Sequence, residues 1–181
     1  MIALSRAVWL VTGLAWASRS LMALADPDYW EPASALDWSA VWLFSIALVL
    51  LAPSVLLMAR LAPTRLVVTC ATIVAIGAVS GGVANALEDG LGMPSLGTLY
   101  VVGVMVAWLG LVPLAVAFGL AHATRLAGLC VVLVVGILLI NAGGSVLVLI
   151  ALGSLAIRPA WFATRGPTLA PAIEPVSPPS S

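Results

Sequence analysis

Long apolar stretches constrain this chain more than any other feature of its sequence. They cover residues 2–25, 38–58, 66–87, 96–120 and 126–162. A helix needs about 20 predominantly apolar residues to cross the ~30 Å hydrocarbon core of a bilayer. Each stretch is long enough to cross at least once, so the sequence predicts an all-α fold, a polytopic transmembrane helix bundle.

Composition excludes a soluble alternative. Of the 181 residues, 63% are apolar and 8% are charged, against about 45–50% and ~25% in soluble domains. A globule of this size could not bury so much apolar surface, so lipid must be its main solvent. The formal net charge is zero, and we therefore expect no nucleic-acid partner. His122 stands alone without neighbouring ligand-type residues, so we expect no metal and no cofactor.

The last apolar stretch is too long for one crossing. A single helix over residues 126–162 would be about 55 Å long. Asn141 is followed closely by Gly143 and Gly144, which is a turn signal. We therefore expect a hairpin with spans 126–140 and 144–162, which gives six spans in all. One long helix, giving five spans, is the alternative.

The arginines favour six spans. Lys is absent from the sequence, and short cytoplasmic loops are enriched in basic residues. With six spans and a cytoplasmic N-terminus, all arginines except Arg19 lie on the cytoplasmic side: Arg6, Arg60, Arg65, Arg125, Arg158 and Arg165. We expect a multi-pass protein of the cell membrane. The use of Arg without Lys suggests a bacterial inner membrane.

The two ends of the chain carry further expectations. Residues 1–165 should form a single transmembrane helical domain, and the Pro-rich tail 166–181 should be disordered and cytoplasmic. The first span also resembles a secretory signal, because small residues precede Asp26 in the pattern of a cleavage site. Cleavage there would leave five spans.

A polar cluster is the candidate site. The segment SGGVANALEDG places Asn85, Glu88 and Asp89 at the end of the third span, at a depth where Arg19 is the basic residue on the same side. One interpretation is structural: Arg19 pairs with Glu88 or Asp89, as charges within membranes usually do. The other is that the four residues line an outward-facing pocket that binds or transforms a ligand.

Other residues predict packing rather than chemistry. Gly77 and Gly81 have the spacing that lets membrane helices approach closely, which predicts that the third span is central in the bundle. An aromatic belt at the outer surface is expected from four residues: Tyr29, Trp30, Trp38 and Trp42.

Function remains open between three hypotheses, because no hydrolase, metalloprotease or nucleotide-binding motif is present. The favoured one is a non-enzymatic bundle that binds membrane lipids or a membrane-protein partner. The second is an intramembrane enzyme acting on a lipid or isoprenoid, with Glu88 or Asp89 as acid/base. The third is a subunit of an oligomeric transporter, formed by copies of this chain.

Overall fold

The computed structural model describes residues 2–25 and 34–163, and these residues form helices and turns without any strand. The helices are α1 (Ile2–Ala25), α2 (Ala35–Ala59), α3 (Arg65–Glu88), α4 (Gly97–Leu120), α5 (Thr124–Leu138), α6 (Ser145–Ile157) and the short α7 (Pro159–Phe162). The predicted all-α class is confirmed. The tail 166–181 and the belt residues Tyr29 and Trp30 lie outside the described residues.

Three of these helices, α2, α3 and α4, are long and apolar enough to cross a membrane. Helices α5 and α6 are apolar but have only 15 and 13 residues. Helix α1 has 24 residues, but it carries Arg6 and Arg19 and is not among the three. The protein is therefore a membrane protein by the length and composition of its helices, and the count of six spans stays a prediction.

The last apolar stretch divides where the turn signal predicts. Helix α5 ends at Leu138, a 3-10 turn occupies Ile140–Ala142, and α6 begins at Ser145. Gly143 has a φ of 81°, a left-handed conformation that glycine adopts without steric cost. The single long helix is therefore wrong. The expected span 144–162 is itself two helices, because Pro159 lacks a backbone N–H and disfavours helical geometry at the preceding residue.

The six long helices form a closed ring. Each packs against its neighbours in the chain, and α6 packs against α1. The closing contact is partly polar: the Ser20 hydroxyl donates to the carbonyl of Ile140 at 3.0 Å and also contacts the Ser145 hydroxyl. In lipid such bonds between helices contribute about 0.6 kcal/mol on average.

Helices α1 and α2 are joined where a proline interrupts the backbone bonding of α2. Pro53 has no N–H to donate within its helix. Thr12 Oγ1 of α1 lies 3.2 Å from the carbonyl oxygen of Leu50 and 2.8 Å from the Ser54 hydroxyl. The Trp9 indole donates to the Ser54 carbonyl at 3.1 Å. Pro53 removes the bond to the carbonyl of Val49, four residues earlier, and these contacts to Leu50 and Ser54 join α1 to α2 beside that position.

The small residues of α3 pack as predicted, although α3 is not central. A Cβ on Gly77 would lie 2.6 Å from the backbone nitrogen of Ala107, and one on Gly103 would collide with the backbone of Gly81. The backbones of α3 and α4 therefore touch. Helix α3 is nevertheless one member of the ring, and its outer face is exposed, including Ile76 at 61%.

Candidate functional site: a cavity inside the helix ring

A cavity of about 320 Å³ lies inside the ring. Its wall comes from α1 to α5 and from the 3-10 turn after α5. Most of these residues lie in the half of the bundle where α1 and α3 end and α2 and α4 begin, and Leu48 and Leu51 extend past the middle of α2. This is the end at which the sequence predicts the candidate site.

Arg19 lies in the wall of this cavity and is only 6% exposed. Its guanidinium carbon lies 5.1 Å from the centre of the Phe44 ring, within the range of a cation–π interaction. Phe44 is packed edge-to-face against Trp16 at 5.8 Å and Tyr100 at 6.3 Å. A buried cation is thus held within an aromatic cluster.

Asn85 also lies in the wall and is 2% exposed. Its side-chain amide donates to the Ser45 hydroxyl at 2.8 Å and to the Val41 carbonyl at 3.4 Å. Both acceptors belong to α2, so Asn85 joins α3 to α2. This amide therefore has a structural role on the cavity wall, because its donors are used by the neighbouring helix.

Asp89 is the acid that reaches the cavity. It follows the last residue of α3 and is exposed as a whole, and partial burial of its carboxyl raises its pKa above the ordinary value. A cation within about 4–6 Å would lower that pKa instead. The direction of the shift argues against a tight ion pair between Asp89 and Arg19.

Glu88 does not line the cavity with the other three residues. Its carboxylate lies against Gly97, the first residue of α4, where a Cβ would collide with Glu88 Oε1. Its buried Oε2 has no hydrogen-bond partner among the described residues. An anion at the N-terminus of a helix is stabilised by the helix dipole. The dipole of α4 therefore offsets the unfavourable interaction of the Glu88 carboxylate with the C-terminal end of the α3 dipole. The structure therefore brings together Arg19, Asn85 and Asp89 and directs Glu88 elsewhere.

Most of the cavity wall is apolar, and sequence reasoning missed it. Leu48, Leu51 and Ala107 lie in its deeper part, with Trp108 beside them. Nothing in the sequence distinguishes these residues from those facing lipid, because both environments favour apolar side chains. The arrangement of Phe44 and Tyr100 around Arg19 depends on how α1, α2 and α4 meet.

Two further pairs of side chains lie outside the cavity. Trp38 and Trp42 are each 40% exposed near the start of α2, as an aromatic belt requires. Cys70 and Cys130 are free and buried, so they behave as small apolar residues. Within residues 2–25 and 34–163, His, Cys, Asp and Glu form no group of three that could hold a metal.

The fold and the cavity define a class: a small all-helical membrane protein whose ring of helices encloses an apolar cavity with a buried arginine at one end. Comparison with protein-family models, with curated proteins and with solved structures finds no match for this chain. Its function is therefore inferred from the cavity itself.

Proposed function

We propose that this protein binds one amphipathic lipid, with an anionic headgroup at Arg19 and part of one alkyl chain in the apolar cavity. The observation that carries this proposal is the burial of Arg19 at one end of an otherwise largely apolar cavity. Arginine stays charged in proteins and matches the geometry of phosphate and carboxylate groups. Charged residues at membrane depth are costly and mark functional sites by default.

The dimensions of the cavity favour one chain. On α2 its wall extends from Ala40 to Leu51, about 16 Å along the helix axis at ~1.5 Å per residue. A volume of about 320 Å³ is near the lower end of the ~300–1,000 Å³ of typical ligand pockets. The cavity is therefore a narrow slot, suited to a single chain rather than to two.

The proposal is tested by lipid retention in native mass spectrometry of the purified protein. We expect the protein to retain lysophosphatidylglycerol better than a monoacylglycerol of the same chain length, which lacks the phosphate. Arg19→Gln should remove that preference, because a charge-assisted hydrogen bond contributes about 1.5–3 kcal/mol, or about tenfold or more in affinity.

Arg6→Gln is the matched control, since Arg6 is an exposed arginine of the same helix. It should leave the preference unchanged. Equal retention of the two lipids by the unaltered protein, or an equal loss in both variants, would contradict the proposal.

Asp89 supports a second candidate, an intramembrane enzyme acting on such a lipid. This carboxyl lines the same cavity as Arg19, and its raised pKa makes it a better proton donor or acceptor for a bound lipid than an ordinary aspartate. Glu88 has no place in this mechanism, because it lies against α4. Asp89→Asn should then retain the lipid and abolish its conversion, measured by mass spectrometry of lipids incubated with the protein.

We further propose six spans, with both termini in the cytoplasm of a bacterial cell. The described arginines other than Arg19 lie where α1, α3 and α5 begin and where α2, α4 and α6 end: Arg6, Arg60, Arg65, Arg125 and Arg158. The positive-inside rule assigns that end to the cytoplasm. The cavity would then lie in the outer half of the membrane.

A further inference from the structure

On the cavity side of the ring, α5 ends well before its neighbour α4 does. The Trp108 indole of α4 donates to the Val134 carbonyl of α5 at 3.1 Å, which sets the two helices at a common level. From Trp108, α4 continues for 11 residues to its start at Gly97, about 16 Å. From Val134, α5 continues for only four residues to Leu138, about 6 Å. Helix α5 therefore stops about 10 Å short of α4, and the 3-10 turn Ile140–Ala142 follows it.

The rim of this gap belongs both to the cavity and to the outer surface. Met105, one turn from Trp108, is 45% exposed, and Leu138, one turn from Val134, is 62% exposed. Both residues also line the cavity. These two side chains thus belong both to the cavity wall and to the exposed surface of the described structure, one turn beyond the Trp108–Val134 hydrogen bond.

The chemistry of the rim matches the bilayer rather than water. Met105 and Leu138 are apolar, and their neighbours Val101 and Val135 are also exposed apolar residues of the same two helices. Apolar side chains exposed at membrane depth face lipid tails. Arg19 lies on the opposite wall of the same cavity, in α1.

We propose that the gap between Met105 and Leu138 is a lateral portal through which the alkyl chain of a bilayer lipid enters the cavity. This inference rests on the proposed lipid-binding function and specifies the route. The chain passes between α4 and α5, while the headgroup moves along the membrane surface to Arg19. The Trp108–Val134 hydrogen bond forms the lower edge of the portal and limits how deeply the chain can enter from the side.

Exchange kinetics test the portal. The protein, loaded with lysophosphatidylglycerol, is mixed with micelles of the deuterated lipid, and exchange is followed by native mass spectrometry. Leu138→Trp places a larger side chain on the rim, and we expect it to slow both the loading and the release of lipid severalfold. A narrowed entrance slows entry and release alike, whereas a damaged site changes affinity.

Val131→Trp is the matched control, because Val131 is 54% exposed on the same helix, two turns from Leu138, and does not line the cavity. This variant should exchange lipid at the same rate as the unaltered protein. Met105→Trp provides a second rim variant in case Leu138→Trp does not fold. Both rim variants should slow exchange.

The outcomes separate the two proposals. If lipid is retained through Arg19 but the rim variants and Val131→Trp exchange it at the same rate, the portal is wrong and lipid binding stands. Reduced equilibrium retention with an unchanged exchange rate would also overturn the portal. Failure of the unaltered protein to retain the lipid would instead remove the proposed function.

Discussion

At the scale of single residues, polar contacts join α1 to α2 beside a proline. Thr12 contacts Leu50 and Ser54 beside Pro53, in surroundings that water does not reach. The Thr12 hydroxyl also lies 2.7 Å from the carbonyl of Val8 in its own helix, so replacing it by a methyl group removes one contact within α1 and two contacts to α2. The contribution of such a bond in a membrane is about 0.6 kcal/mol on average and at most ~1.7.

We therefore expect Thr12→Val to lower the free energy of unfolding by about 1 kcal/mol, measured by denaturation in detergent. Thr72→Val is the control, since the exposed Thr72 hydroxyl bonds only to the carbonyl of Val68 in its own helix. It should change stability by less than about 0.5 kcal/mol. A similar loss in both variants would mean that the contact between α1 and α2 adds nothing.

Asp89 predicts a dependence of stability on pH. Partial burial raises the pKa of this carboxyl in the folded protein, so the folded state binds a proton more tightly than the unfolded state. Stability is then greatest below the ordinary Asp pKa, and it falls as pH rises through the raised value. Asp89→Asn removes the charge, and it should raise the melting temperature at pH 7.

The same comparison in acid provides the control. Below about pH 3.9, the ordinary pKa of Asp, both proteins are neutral at this position and should melt alike. If Asp89→Asn instead lowered the melting temperature at pH 7, the Asp89 carboxylate would be held by a cation. The ion pair with Arg19 that the sequence suggests would then return.

At the scale of helices, the contact between α3 and α4 depends on the absence of side chains. A Cβ on Gly103 meets backbone atoms of Gly81 and Gly77, which cannot move unless the helices separate. Gly103→Ala should therefore destabilise the protein by about 1–3 kcal/mol, measured by thermal melting. Overpacking outweighs the gain in helix propensity that alanine brings.

Gly128→Ala is the matched control in the interior of α5. Nothing lies within 4 Å of a Cβ at that position, so the higher helix propensity of alanine should stabilise the protein by about 0.5–1 kcal/mol. Opposite signs at the two positions are the expected result. Equal signs would contradict the close packing of α3 on α4.

Glycines also show where sequence reasoning stops. Gly128 and Gly136 lie in the same apolar helix, yet the first faces open space and the second packs against Val148. A soluble helix reveals its buried face by polarity, but lipid and protein interior are both apolar, so that signal is lost. The small-residue spacing in α3 was informative because Gly77 and Gly81 lie one turn apart on one face.

The candidate site was predictable in part for a similar reason. Charged residues are rare in this chain, so Arg19, Glu88 and Asp89 stood out, and two of them line the cavity. The Glu88 side chain lies against the start of α4. The position of that start is set by the loop between α3 and α4, not by the residues of the polar cluster. The apolar wall, which makes the cluster a binding site, leaves no mark in the sequence.

At the scale of the whole molecule, the described arginines other than Arg19 lie at one end of the helix bundle. With six spans, a reporter active only outside the cytoplasm should remain silent when fused after Ser181, because the basic end faces the cytoplasm. The same reporter fused after Leu91, in the turn between α3 and α4, should be active. Activity after Ser181 would leave an odd number of crossings and contradict the proposed topology.

The closure of the ring by α6 on α1 has a consequence for biosynthesis. Ser20 and its partner Ile140 are 120 residues apart in the chain, and a ribosome adding about 5–20 residues per second needs about 6–24 s to cover that distance. During this interval Arg19 has already been synthesised, whereas the residues at the end of α5 that line the cavity have not. A nascent chain interrupted before Ser145 would carry every residue of the cavity wall but an open ring, so α6, the last long helix to be synthesised, closes the ring around the binding site.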